Sequence, residues 1–242
     1  MMLGARTAAW AKSGYTAKDY VQRSIAFQFD WLENQRGGFS SSPSSWHDLS
    51  DNGFDLQFNS YADFLPDSVG NNTIDKNIAV CENEPPKIKC LEIVCKVVSP
   101  ISSKITDIFY ATSIGGAQAT GSKVFFMPYT DMISVADVSV NNTSDNAINF
   151  HASELSVFRS YSTNVVDGGN LSNAFVNGVS ESLAKGYGRS CSKGLYLCCR
   201  SSRYSQSCPL VRVKAIRGYT DNLTIEEQIK NNEIDAARFN LP

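Results

Sequence analysis

Histidine is the side chain most often used as a general base near neutral pH, and the chain holds two, His47 and His151. His47 lies in a serine-rich stretch between Trp46 and Asp48. His151 lies in an apolar, strand-like stretch three residues before Glu154. Neither belongs to a catalytic signature. No Gly-x-Ser-x-Gly elbow exposes a serine nucleophile, and no His-Glu-x-x-His places two imidazoles on one helix face. Ordinary surface or half-buried histidines are the simpler account, so no catalytic residue is assigned and a non-enzymatic protein is expected.

Three other groupings invite chemistry and decline it. Gly116-Ala117-Gln118-Ala119-Thr120-Gly121-Ser122-Lys123 has the glycines of a phosphate-binding loop. That loop needs Lys before Ser or Thr, and it must open a helix. Here the order is reversed and the loop runs into the strand-like Val124-Phe125-Phe126-Met127, so a glycine-rich hairpin connection is expected. Seven cysteines, Cys81, Cys90, Cys95, Cys191, Cys198, Cys199 and Cys208, could bind zinc, but only Cys90 and Cys95 have the spacing of a ligand pair. Buried, unlinked thiols are the expectation. Glu226-Glu227 sits at a helix start, where the dipole favours acidic residues. Glu82 and Glu84 sit in a loop. No metal and no cofactor are expected.

Composition narrows the partners. The 242 residues are 42% apolar and 19% charged with a formal net charge of −2, which suits a globular chain long enough to bury its own core. No strong nucleic-acid signature exists: the most basic stretch carries Arg200, Arg203, Arg212, Lys214 and Arg217, and reads as a solvated strand face. No run reaches the ~18 apolar residues of a membrane helix. Met1-Met2-Leu3-Gly4-Ala5-Arg6-Thr7 lacks the apolar stretch of a secretory leader, so an intracellular site, in the cytoplasm, a virus particle or an inclusion, is expected.

The elements read as α+β, mainly β: an antiparallel sandwich or barrel-like body with an N-terminal helical segment, one internal helix and a C-terminal helix. Residues 4–12 favour a short helix through their alanines, and Thr16 to Asp19 has the form of an N-cap followed by an acidic residue. Ile25, Phe27, Phe29 and Trp31 alternate as a strand from about Ser24. Gln35 to Gly53 reads as a loop, Phe54 to Phe58 as a strand and residues 62–86 as irregular. Strands then recur over Lys87–Val98, Lys104–Thr112, Lys123–Met127, Met132–Val140, Ala147–Phe158, Leu195–Arg200 and Leu210–Ile216. Leu171–Lys185 reads as the internal helix. Thr224 and Glu227 form a capping box for the last one. No internal repeat or linker divides the chain, so one domain over residues 1–242 is expected, with 1–34 as an N-terminal arm and 54–242 as the body.

An aromatic arm ahead of a β-rich body suggests docking on a neighbour, with Trp10, Tyr15 and Tyr20 as interface anchors. With no catalytic motif and no leader, the expected function is a non-enzymatic, self-assembling structural protein of viral capsid or occlusion-body (polyhedrin) type. Its partners would be further copies of itself or other structural subunits. The alternative is a carbohydrate- or peptide-binding β-sandwich module using aromatics such as Trp46 and Tyr61.

Overall fold

The computed structural model describes residues 14–35, 38, 40–72, 78–99, 106–115, 118–127, 132–138, 145–148, 156–166, 170–180, 183–186, 194–198 and 210–242. The expected helix over 4–12, Trp10, His151 with Glu154, and Arg200 with Arg203 lie outside them. The first half contributes β1 (Ile25–Asp30), α1 (Trp31–Asn34), β2 (Ser45–Trp46), β3 (Leu56–Phe58), β4 (Ala62–Leu65), β5 (Ser68–Asn71), β6 (Ala79–Cys81), β7 (Cys90–Ser99) and β8 (Thr106–Gly115). The second contributes β9 (Gln118–Met127), β10 (Met132–Val138), β11 (Asp145–Ile148), β12 (Arg159–Val166), β13 (Asn170–Val176), β14 (Val179–Ser180), β15 (Leu183–Gly186), β16 (Gly194–Leu197), β17 (Leu210–Tyr219) and α2 (Ile225–Phe239).

Two antiparallel sheets pack face to face. An eight-stranded sheet runs β14-β13-β12-β7-β17-β5-β4, with β1 also pairing β17, and a seven-stranded sheet runs β10-β9-β8-β16-β6-β3-β2. The core lies between them. The odd residues of β7, Leu91, Ile93, Cys95 and Val97, face the Leu56, Phe109 and Leu195 side, and the Phe27 and Phe109 rings meet across the gap at 5.9 Å. Glycine at 218 makes this packing fit: a Cβ there would lie 2.3 Å from Phe27 Cζ. Gly218→Ala is expected to cost about 1–3 kcal/mol by overpacking, a fall of roughly 2–12 °C in Tm at 2–4 °C per kcal/mol, measurable by thermal unfolding.

A third layer covers the outer face of the eight-stranded sheet. It consists of α2 and the segment before β1, and a β-bulge makes it possible. The pairing of β17 with β7 slips between Val213 and Ala215. Val211 and Val213 face the core before the slip and Ile216 after it, which turns Arg217 and Tyr219 towards α2. The expected C-terminal helix is present, with Thr224 accepting from Glu227 N–H and Glu227 closing the capping box.

Four expectations need correction. Leu171–Lys185 is not a helix but β13, a turn, β14 and β15. Its turn is Asn177-Gly178, both with positive φ, 48° and 79°, the strongest short hairpin signal, and it outweighs the apolar spacing. Thr16 to Asp19 is a hydrogen-bonded turn, not a helix start: Asp19 Oδ2 accepts from Thr16 N–H and Oγ1–H. Residues 62–86 hold three strands, β4, β5 and β6. Ile25 onward is no arm, because β1 pairs along β17 from Ile25–Tyr219 to Asp30–Ala215.

Candidate functional site

Among the described residues, a dense, buried polar cluster lies under α2. Arg217 donates through Nε to Glu92 Oε2 at 2.8 Å and through Nη1 and Nη2 to both oxygens of Asp235 at 2.9 and 2.6 Å. Tyr20 donates its hydroxyl to Asp235 Oδ1 at 2.8 Å, and its ring lies 3.9 Å from the Arg217 guanidinium carbon. Ser160 donates to Asp235, and Ser162, Asn231 and Tyr219 donate to Glu92. Burial pushes the Glu92 carboxyl above its ordinary value, against the pull of Arg217. Perturbed carboxyls can mark active sites, but both side chains here are 0% exposed. No substrate reaches them, so the cluster is structural. Arg212 and Lys214 pair with Asp63 and Asp67, so the basic stretch is neither a solvated face nor a phosphate patch over its described part.

The anchors and aromatics predicted from sequence separate. Tyr20 is 2% exposed and belongs to its own chain's interior. Tyr15 is 44% exposed, with its carbonyl accepting from Arg238 Nη1. Trp46 cannot contact a ligand: it is 0% exposed, with ring centroids 5.6 Å from Phe29 and 5.8 Å from Trp31. Tyr61 stays partly exposed beside edge strand β4. The described thiols, Cys81, Cys90, Cys95 and Cys198, are buried and free. Cys95 packs in the inter-sheet core and Cys90 on the α2 side, so the one zinc-like pair points to opposite faces of β7. Of the glycine-rich stretch, Gln118–Lys123 is not a connection but the first half of β9, paired antiparallel with β8 from Gly115–Gln118 outward.

Among the described residues, an accessible site lies on the outer face of the seven-stranded sheet. Pairing registers place Ser45, Gln57, Val80 and Tyr196 in one row across β2, β3, β6 and β16. Between the row and its rim loops lies a depression of about 480 Å³, lined by Asp55, Gln57, Val80, Glu82 and Asn83 among others. Gly194 (φ +112°) seats the Tyr196 ring: a Cβ there would be 2.5 Å from Cys81 O and 3.2 Å from Tyr196 Cε2. Partial burial, with the Glu82 carboxylate nearby, raises the Tyr196 hydroxyl above its ordinary value, so it stays a donor at neutral pH. The rim is rigid because Asp48 accepts from Gln28 N–H, Ser50 N–H, Ser50 Oγ–H and Phe54 N–H. A partly exposed aromatic among amide and carboxylate groups suits a ligand with both an apolar face and hydroxyls. The sequence hid the site because the row joins residues far apart in the chain. Only the alternating Phe54-Leu56-Phe58, which sends Asp55 and Gln57 to the other face, pointed towards it.

No protein-family model matches the chain, and no curated protein matches it in sequence. Solved structures match in fold. A mutant Trypanosoma rangeli sialidase displaying trans-sialidase activity aligns with a TM-score of 0.62 at 11% identity, over 98% of this chain and 39% of that one. The Trypanosoma rangeli sialidase in complex with sialic acid gives 0.56 at 12% identity, over 86% and 32%. The receptor binding domain of botulinum neurotoxin type G gives 0.60 at 16% identity, over 88% and 51%. The chain thus spans between about a third and about half of these structures. At such identities the likeness establishes the β-sandwich fold alone.

Proposed function

We propose that the protein is a β-sandwich binding module for neutral carbohydrate, held on the outer face of the seven-stranded sheet. Tyr196, half-buried and paired with Val80 of the depression's lining, carries this reading. The ring offers an apolar surface to one face of a sugar, and Gln57, Asn83 and the Asp55 and Glu82 carboxylates offer partners to its hydroxyls. Those two carboxylates disfavour an anionic sugar, so the preferred ligand differs from the sialic acid of the sialidase complex. Similarity to a receptor binding domain supports the class of function. The self-assembling viral reading comes second, because Tyr20, one of its three anchors, is packed inside its own chain.

Calorimetric titration with a panel of neutral and sialylated oligosaccharides tests it. Tyr196→Ala is expected to weaken binding by about 30-fold, the effect of losing an aromatic anchor worth ~2 kcal/mol, with Tyr196→Phe retaining most of the affinity. Equal binding by the alanine variant, or a preference for sialylated ligands, would overturn the proposal.

A further inference from the structure

The rim of the same sheet brings together three side chains whose relation the depression does not explain. β2 and β3 pair Ser45 with Gln57 and Trp46 with Leu56. One step further along the hairpin, His47 meets Asp55, and its Nδ1 lies 3.1 Å from Asp55 Oδ2. A carboxylate only accepts, so the proton in that contact belongs to Nδ1, and in the neutral imidazole Nε2 is the acceptor. Nε2 lies 3.5 Å from Ser45 Oγ, two residues back on the same face, a loose separation common for a nucleophile and its base without substrate. The geometry is fixed from both sides. Asp55 Oδ1 accepts from Asp48 N–H at 2.8 Å, Asn34 Oδ1 accepts from His47 N–H, and Asn34 Nδ2 donates to Ser45 O.

We infer that Ser45, His47 and Asp55 form a hydrolytic triad acting on neutral esters with a short acyl chain. Ser45 Oγ attacks the carbonyl carbon and its proton passes to His47 Nε2. The C–O bond to the alcohol breaks, and the alcohol departs with that proton. Water, deprotonated by His47, then releases the acid and restores the Ser45 hydroxyl. One ester and one water give one acid and one alcohol, with no other reactant. Asp55 is a positioning residue that holds the tautomer. The Gln57 side chain, exposed and directly across from Ser45, supplies N–H donors for the oxyanion. Ser45 is only 7% exposed, so the acyl group in this proposal is a small one, and the carboxylates of Asp48, Asp55 and Glu82 disfavour an anionic one.

Hydrolysis of p-nitrophenyl acetate by the full chain tests this, with p-nitrophenyl butyrate and an anionic succinate monoester for comparison. The acetate is expected to be cleaved fastest. Ser45→Ala and His47→Gln are each expected to lower kcat/KM by at least about 100-fold, and Asp55→Asn to lower kcat more than it raises KM. A fluorophosphonate probe is expected to label the unmodified protein at Ser45, found by peptide mass mapping, a readout independent of how any variant folds. Unchanged hydrolysis by Ser45→Ala, a rate no higher than that of the urea-unfolded chain, or no label on Ser45 would overturn the triad. Because Tyr196 takes no part, such a failure leaves the carbohydrate proposal to its own test.

Discussion

Arg217→Met is expected to lower stability by about 3–5 kcal/mol, the usual consequence of removing one partner from a buried ion pair. Two carboxylates, Glu92 and Asp235, face this single guanidinium at 0% exposure, and without it both are left out of water with no counter-charge. Urea unfolding followed by circular dichroism measures the loss. Adding Glu92→Gln and Asp235→Asn to the same chain is expected to recover part of it, because the neutral amides need no counter-charge. Glu92→Gln alone carries a pH signature. Since the folded carboxyl holds its proton above the ordinary value of 4.5, the folded chain binds more protons than the unfolded one just above that pH. The contribution of Glu92 is therefore full below 4.5 and declines as pH rises through the raised value. The stability advantage of wild type over Glu92→Gln is expected to shrink as pH is raised from 4.5 towards neutrality. An advantage that grows with pH would place the burial effect below the pull of Arg217.

Deleting residues 1–22 is expected to be nearly as damaging. It removes Tyr20, whose hydroxyl bonds Asp235 and whose ring covers Arg217, and Val21, whose N–H bonds Asn231 Oδ1. Truncating one buried aromatic to alanine costs about 3–5 kcal/mol, and here the deletion also opens the ion pair to water. The truncated chain is expected to be insoluble or to melt at least about 6 °C lower, at 2–4 °C per kcal/mol. A truncated chain that stays equally stable and only changes its size on gel filtration would restore the idea of an aromatic docking arm.

Where each element could be read from the sequence depended on how local its cause is. β7 was legible because Leu91, Ile93, Cys95 and Val97 alternate, and α2 because its capping box is complete within four residues. Leu171–Lys185 imitates a helix through its apolar spacing, while Asn177-Gly178 turns the chain back on itself as a hairpin. Trp46 and Tyr20 were misplaced for a different reason. An aromatic residue's type does not reveal whether it is buried or exposed, and both rings are covered by segments distant in sequence. The ion pair under α2 was invisible on the same grounds: Arg217 looked like one more base in a solvated stretch, since nothing local shows that a bulge reverses the strand's parity. Of the candidate site, His47 stands out in the sequence as one of two histidines. Asp55 as its partner required the β2–β3 register, and Tyr196 required the sheet order.

The layer under α2 also sets a timetable for folding. Tyr20 and Asp235 are 215 residues apart in the chain, and Arg238 reaches back 208 residues to Asp30. At the usual 5–20 residues per second of synthesis, the segment around Tyr20 leaves the ribosome roughly 10–40 s before the helix that covers it. Until then Glu92 and Arg217 have no Asp235, and the outer face of the eight-stranded sheet stays wet. β12 can pair β7 and β13 during that wait, but β1, β5 and β7 are joined only once β17 is made, and the step that follows, when α2 is made, closes one of the most widely separated contacts in the molecule.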